Sequence, residues 1–178
     1  CSFFSPEFSD QRLMTLDEAI EICKDKVNMN IELKPTSHDT DFAKQAVETI
    51  HRQNFEDNCF LASLSYPTIE EVKKVDSSIR TAYISAVAYG DIEKLSADVF
   101  SIEATFVNQK LVDRIHDAGK EVHVWTVDQE ETMDSMIKLN VDNIITDNVP
   151  SAISRVKVHQ EETSDLFKSK MEEIVFGV

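Results

Sequence analysis

GKEVHVWTVDQEETMDSMIKLNVDNIITDNVP, residues 119–150, holds two short apolar, β-prone runs, Val122 to Val127 and Asn143 to Ile145, separated by a longer polar stretch. Runs of this length bounded by turn residues read as strands, and the stretch between them is long enough for a helix. Working backwards from this unit, four more such runs appear: Val99 to Ile102, Thr81 to Ser85, Cys59 to Leu64 and Val27 to Leu33. Between them, apolar residues recur at helical spacing, as in Phe42, Ala46, Val47 and Ile50, or Leu111, Val112, Ile115 and Ala118. Six strands alternating with helices every 20 to 30 residues or so predict stacked βα units around a parallel sheet.

Helix boundaries agree with this alternation. Thr15 and Glu18 have the spacing of a capping box, in which hydroxyl and carboxylate satisfy orphan backbone donors at a helix start. Asn108 is placed to cap the segment that follows it, and Gly119 to end that segment in a left-handed conformation. With three glycines in 178 residues, the chain has no glycine-rich phosphate loop, which excludes the Rossmann and P-loop readings. Alternation alone leaves open a closed (β/α)8 barrel and an open doubly wound sheet. Glu32 and Lys34, Ser63, Ser85, Glu103, Thr126 and Asp128, and Asp147 all fall at or just beyond strand C-terminal ends, the edge where barrels carry their chemistry. Either these form a functional rim, or they mark where solvent begins.

Composition narrows the partners. Against 33 Asp and Glu stand 18 Lys and Arg, a formal charge of -15, so no nucleic acid partner is expected. A small phosphate ester stays compatible with that field, because a divalent metal held by carboxylates supplies positive charge. Cys1, Cys23 and Cys59 form no CxxC pair and read as reduced, partly buried thiols. No apolar run reaches the 18 or so residues of a membrane span, so these residues read as a soluble segment of unknown compartment.

Three segments carry a resemblance. NMNIELKP (28–35) places an acidic residue and a lysine on either side of one residue near a strand end, so that Glu32 and Lys34 point to the same side. LASLSYPTIEEVKKVDSSIRTAYI (61–84) and HDAGKEVHVWTVDQEETMDSMIKLNVDNIITDNVP (116–150) follow in order, and FSPEFSDQRLMTLDEAI (4–20) leads in. Together they resemble the glycerophosphodiester phosphodiesterases over about positions 4–155. The resemblance implies a partial (β/α)8 TIM barrel, about six of eight βα units with the first two strands absent. It assigns residues 1–155 to the C-terminal part of the barrel and leaves 156–178 as a C-terminal helix or tail.

The implied activity is metal-dependent hydrolysis of glycerophosphodiesters, small substrates of lipid metabolism, to an alcohol and glycerol 3-phosphate. In that family a divalent cation, calcium or magnesium, is held by carboxylates while two histidines exchange protons. By this resemblance Glu32 is a metal ligand, Lys34 contacts phosphate, Trp125 walls the glycerol or the alcohol, and Glu103 and Ser63 touch substrate. Glu32 and Lys34 are alternatively an ion pair within the barrel, Trp125 core packing and Glu103 a structural residue; Asp147 reads as a cap or loop anchor.

The family's opening His-Arg-Gly, Glu-x-Asp and His-Asp patterns do not occur before Phe4. His51-Arg52 is followed by Gln53 and reads as a solvated helix end, while His38, His116, His123 and His159 match no family histidine. The expectation is therefore no catalytic residue in this segment, an incompletely liganded metal, little or no hydrolysis by the segment alone, and sheet edges that call for a barrel-completing segment or partner chain. The parent protein is expected to be a bacterial member attached to the cell membrane through an N-terminal region. Two other readings stay open: a noncatalytic binding or regulatory module on the same fold, and a relative of phospholipase D-like toxins.

Overall fold

The computed structural model of the chain describes residues 5–36, 41–87 and 90–176, with side chains described as far as residue 164. His38 and Cys1 lie outside the described residues. Twelve helices and strands follow in the order α1 (Leu16–Cys23), β1 (Met29–Glu32), α2 (Phe42–Gln53), β2 (Cys59–Ser63), α3 (Tyr66–Val75), β3 (Thr81–Ser85), β4 (Val99–Glu103), α4 (Gln109–Asp117), β5 (Glu121–Trp125), α5 (Glu130–Lys138), β6 (Asn143–Ile144) and α6 (Val149–Phe176). Short 3-10 turns stand in the connections, and sheet order follows sequence order from β1 to β6. The chain forms two compact units, one reaching to Ala82 and one starting at Tyr83.

In the first unit β1 and β2 pair in parallel, with Ile31 opposite Leu61 and Glu32 opposite Ala62. Because side chains alternate along a strand, Ile31 and Leu33 turn to one face while Glu32 and Lys34 turn to the other. The first face is the core side: Leu33 and Leu61 pack with Ile20 of α1, Val47 and Ile50 of α2, Val72 of α3, and Phe55 of the α2–β2 loop. Burying a side chain such as Phe55, 1% exposed, contributes about 1.5–3 kcal/mol, so this apolar face fixes which residues of β1 point away from it.

The predicted helix ends are present. Thr15 accepts the Glu18 amide and Glu18 reaches back to the Thr15 amide, closing the capping box of α1. α2 ends on Asn54 in the left-handed conformation (φ 50°), a geometry that Asn tolerates better than most residues.

The second unit repeats the logic. β4 and β5 pair in parallel from Val99 opposite Glu121 to Glu103 opposite Trp125, and β5 pairs with β6 through Val124 and Ile144. Phe100, Ile102, Val122 and Val124, all fully buried, share one face of the sheet; Ser101, Glu103, His123 and Trp125 share the other. Asn108 caps α4 by accepting the Leu111 amide at 3.1 Å, and Gly119 (φ 71°) turns the chain back after it.

α6 runs without a break past residue 155 to Phe176, and Arg155 and His159 tie it to Asp134 of α5. Its Val149, Ile153 and Val156 remain partly exposed beside a groove of about 990 Å³ that α6 forms with β6. Among the described residues no helix is long and apolar enough to cross a membrane.

Candidate active site

At the C-terminal end of β1 the Lys34 ammonium lies 3.3 Å from the Glu32 carboxylate. Lys34 is 76% exposed, so its charge is available to a ligand as well as to Glu32. The two-residue spacing accounts for the pair: with Leu33 drawn into the core, its neighbours on both sides must turn to the opposite face. Such an arrangement offers one carboxylate oxygen donor beside one cation.

Ser63 is placed differently from its expected substrate contact. One step beyond the Glu32–Ala62 pairing, it falls on the core side with Leu61 and Leu33. It is fully buried; its hydroxyl donates to the Leu33 carbonyl at 2.8 Å and accepts the Ser65 amide at 3.1 Å. Both interactions hold the ends of β1 and β2 in place and leave Ser63 facing away from the Glu32 side. The Cys59 thiol at the other end of β2 is pushed up to about 11 by burial, with Glu56 adding to the effect, so it is no nucleophile at neutral pH.

In the second unit Glu103 and Trp125 are paired neighbours at the ends of β4 and β5. Glu103 turns its carboxylate onto the Thr105 amide (3.1 Å) and hydroxyl, capping the 3-10 turn Ala104–Phe106. The structural alternative for Glu103 is thus the one its contacts support. Trp125 is half-buried and donates its indole N–H to the Ser101 carbonyl at 3.0 Å, which orients the ring at the strand end. The peptide that follows, Trp125–Thr126, is cis.

Beyond Trp125 the two motifs WTVD and ITD interlock. Val127 donates to the Ile145 carbonyl, and Asp128 accepts both the Thr146 hydroxyl (2.9 Å) and the Asp147 amide (2.8 Å). The anchor of this turn is therefore Asp128, with Asp147 contributing its amide. Asn148 caps the start of α6 by accepting the Ser151 amide at 3.4 Å. Asp128 and Thr146 stand 18 residues apart, so no local pattern in the sequence signals this clasp.

A divalent cation needs several oxygen ligands. Among the described residues no three His, Cys, Asp or Glu come together to hold a metal, so Glu32 with its neighbours does not by itself make such a site. The four described histidines do not gather at the strand ends either. His51 ends α2, His116 reaches Asp142 at 2.8 Å, His123 sits mid-strand 3.2 Å from Glu121, and His159 lies on α6 against Asp134.

Solved structures share this fold. An Oleispira antarctica phosphodiesterase, crystallised in complex with the product sn-glycerol-3-phosphate, superposes with a TM-score of 0.76 at 21% identity, covering 88% of this chain and 66% of that one. A glycerophosphodiester phosphodiesterase from Parabacteroides distasonis gives 0.72 at 22% identity over 87% of this chain and 71% of its own. The fold is accordingly part of a (β/α)8 barrel; among the described residues it has six parallel strands, five of them followed by an α-helix, with a 3-10 turn between β3 and β4.

In sequence, a glycerophosphodiester phosphodiesterase of Caldanaerobacter subterraneus is 28% identical over 162 residues, which is 86% of this chain and 66% of that protein. One from Arabidopsis thaliana is 24% identical over 144 residues, 76% of this chain and 44% of its own length. The chain spans less than two thirds of the length of these relatives. The sequence model of the glycerophosphoryl diester phosphodiesterase family matches residues 2–151, and the chain belongs to that family.

Proposed function

We propose that the protein to which these residues belong hydrolyses glycerophosphodiesters to an alcohol and sn-glycerol 3-phosphate, and that residues 1–155 contribute substrate contacts and one metal ligand. The family match over residues 2–151 carries this reading. The product seen in the Oleispira relative supports the substrate class, and the Glu32–Lys34 pair at a strand end suits a phosphate ester. Lys34 meets the phosphate as an exposed cation, and Glu32 beside it is available as one oxygen ligand of a calcium or magnesium ion. Glu103 enters only through its turn.

Phosphodiester cleavage needs a proton acceptor for the attacking hydroxyl and a donor for the leaving oxygen. No described histidine stands beside Glu32 and Lys34 in its own unit, since His51 is turned to Glu56 and Asp76. The 178 residues alone are accordingly expected to bind without turning over.

The test measures ligand binding to the 178-residue chain by calorimetry. Titrating sn-glycerol 3-phosphate with calcium or magnesium present should give a saturable heat, Lys34→Ala should weaken the affinity about tenfold or more, in line with loss of a charge-assisted contact, and glycerophosphocholine should remain uncleaved. Metal-dependent cleavage abolished by Glu32→Gln would overturn the inactivity of the segment. The absence of any response to the phosphate ester would overturn the binding role of these residues.

The noncatalytic module is favoured by one observation, that every described histidine is held by a carboxylate. It predicts ligand binding without hydrolysis even when residues 1–178 are joined to a segment bearing His-Arg-Gly and Glu-x-Asp.

A further inference from the structure

At the N-terminal ends of β2 and β3, away from the candidate site, one side chain joins three elements of the first unit. His51, in the last turn of α2, has Nδ1 2.6 Å from Glu56 in the turn before β2 and Nε2 2.9 Å from Asp76 at the end of α3. The Asp76 carboxylate also accepts the Ser78 amide (2.8 Å) and hydroxyl (2.7 Å), so the loop entering β3 is bound into the same knot. Both ring nitrogens thus face carboxylate oxygens. A neutral imidazole has one N–H and one lone pair, so only the imidazolium donates to both.

The surroundings favour that ion. The last turn of a helix attracts cations, and basic groups on the neighbouring elements are engaged elsewhere, Lys24 at the end of α1 donating to the Gln53 carbonyl at 2.8 Å. Arg52 of α2 pairs with Asp17 of α1 at 2.8 Å, and Lys73 of α3 donates to the Ser77 and Ile79 carbonyls. Asp57 of the same turn adds negative charge, Lys74 of α3 is the remaining cation beside Asp76 in sequence, and the Cys59 thiol of β2 is neutral.

We propose that His51 is a proton-operated strap: as imidazolium it ties the end of α2 to the turn before β2 and to the loop before β3, and on losing its proton it releases one of the two carboxylates and loosens the lower ends of both strands. The Glu56 hydrogen bond, with the Asp76 contact beside it, holds His51 above the ordinary 6.5. Glu56 lies below the usual carboxylate range through its own backbone hydrogen bond and His51, and Asp76 through Ser78 and His51. A group raised on folding gives its full stabilisation below the unfolded value and loses it as pH climbs through the folded one. The strap is therefore closed at pH 6 and opens at some point above 6.5.

The experiment follows the His51 ring protons by NMR from pH 5.5 to 9, together with hydrogen exchange of the Phe55–Asn58 and Asp76–Ser78 amides, in the 178-residue chain and in His51→Gln. The ring should titrate above the value of an ordinary exposed histidine. After correction for intrinsic base catalysis, the loop amides should lose about threefold protection across that transition, the size expected of one exposed charged contact. His51→Gln, which can donate from one side only and does not titrate, should show the lower protection at every pH with no transition. His38, His116, His123 and His159 are unchanged in both chains, so they cancel in the comparison. A ring that titrates at or below the ordinary value, or a loop transition that survives in His51→Gln, would overturn the proposal.

Discussion

Glu32 and Ser63 show how much a single step of register decides. Both are polar residues at strand C-terminal ends, yet the pairing of β1 with β2 turns Glu32 away from the core and Ser63 into it. The difference has energetic consequences. Glu32 forms a partly exposed ion pair worth about 0–1 kcal/mol, so Glu32→Gln should leave the fold intact and report on ligand binding alone. Ser63→Ala removes a donor and an acceptor from a fully buried position and strands the Ser65 amide. It should cost about 1–3 kcal/mol, read as a lower urea midpoint with unchanged slope. A Ser63→Ala chain as stable as the parent but impaired in phosphate binding would place Ser63 on the ligand side after all.

At the scale of elements, the sequence was legible wherever the determining contacts are local. All six strands fall within a residue or two of the apolar runs, and the Thr15 and Asn108 caps and the Gly119 turn formed as their spacing predicted. Each depends on residues no more than four apart. His51–Arg52 is the contrasting case. It reads as a solvated helix end, yet its partners Asp17 and Asp76 arrive from α1 and from the end of α3, separations that no local pattern encodes.

The Asp128 clasp on Thr146 and the Asp142 bridge from His116 to the Val122 amide are hidden for the same reason. Of the candidate site, the Glu32–Lys34 pair was legible from alternation, whereas the inward turn of Ser63 needed the strand pairing. The local class also gives a pH prediction. Glu18 in the α1 box is pulled down to about 2, chiefly by Arg12 and next by the Thr15 amide. A lowered carboxylate stabilises fully above its unfolded value near 4.5 and ceases to as pH falls through the folded one. Carboxyl NMR should find the Glu18 midpoint near 2, with Arg12→Ala moving it back toward 4.5; an unmoved midpoint would show that the backbone amide dominates.

For the molecule as a whole, the dominant electrostatic fact is the excess of 33 acidic over 18 basic residues. Two effects compete when salt is added. Screening weakens the attractive pairs that join elements, such as Arg155–Asp134 and Arg52–Asp17, and it also weakens repulsion among the surplus carboxylates. Distance decides between them. The pairs lie within 4 Å, well inside the Debye length of about 10 Å at 0.1 M, whereas unpaired carboxylates spread over the surface interact mostly at or beyond that length. Repulsion is therefore screened first, and each exposed pair contributes at most about 1 kcal/mol to begin with. Raising sodium chloride from about 0.02 to 0.2 M, a range in which the Debye length shortens from roughly 20 to 7 Å, should raise the thermal midpoint. The same increase applied at a pH near the sequence pI of about 4.6, where the surplus charge is gone, should lower the midpoint or leave it unchanged. A midpoint that falls with salt at pH 7 would mean that the cross-element pairs, and not the net charge, set the electrostatic stability of this chain.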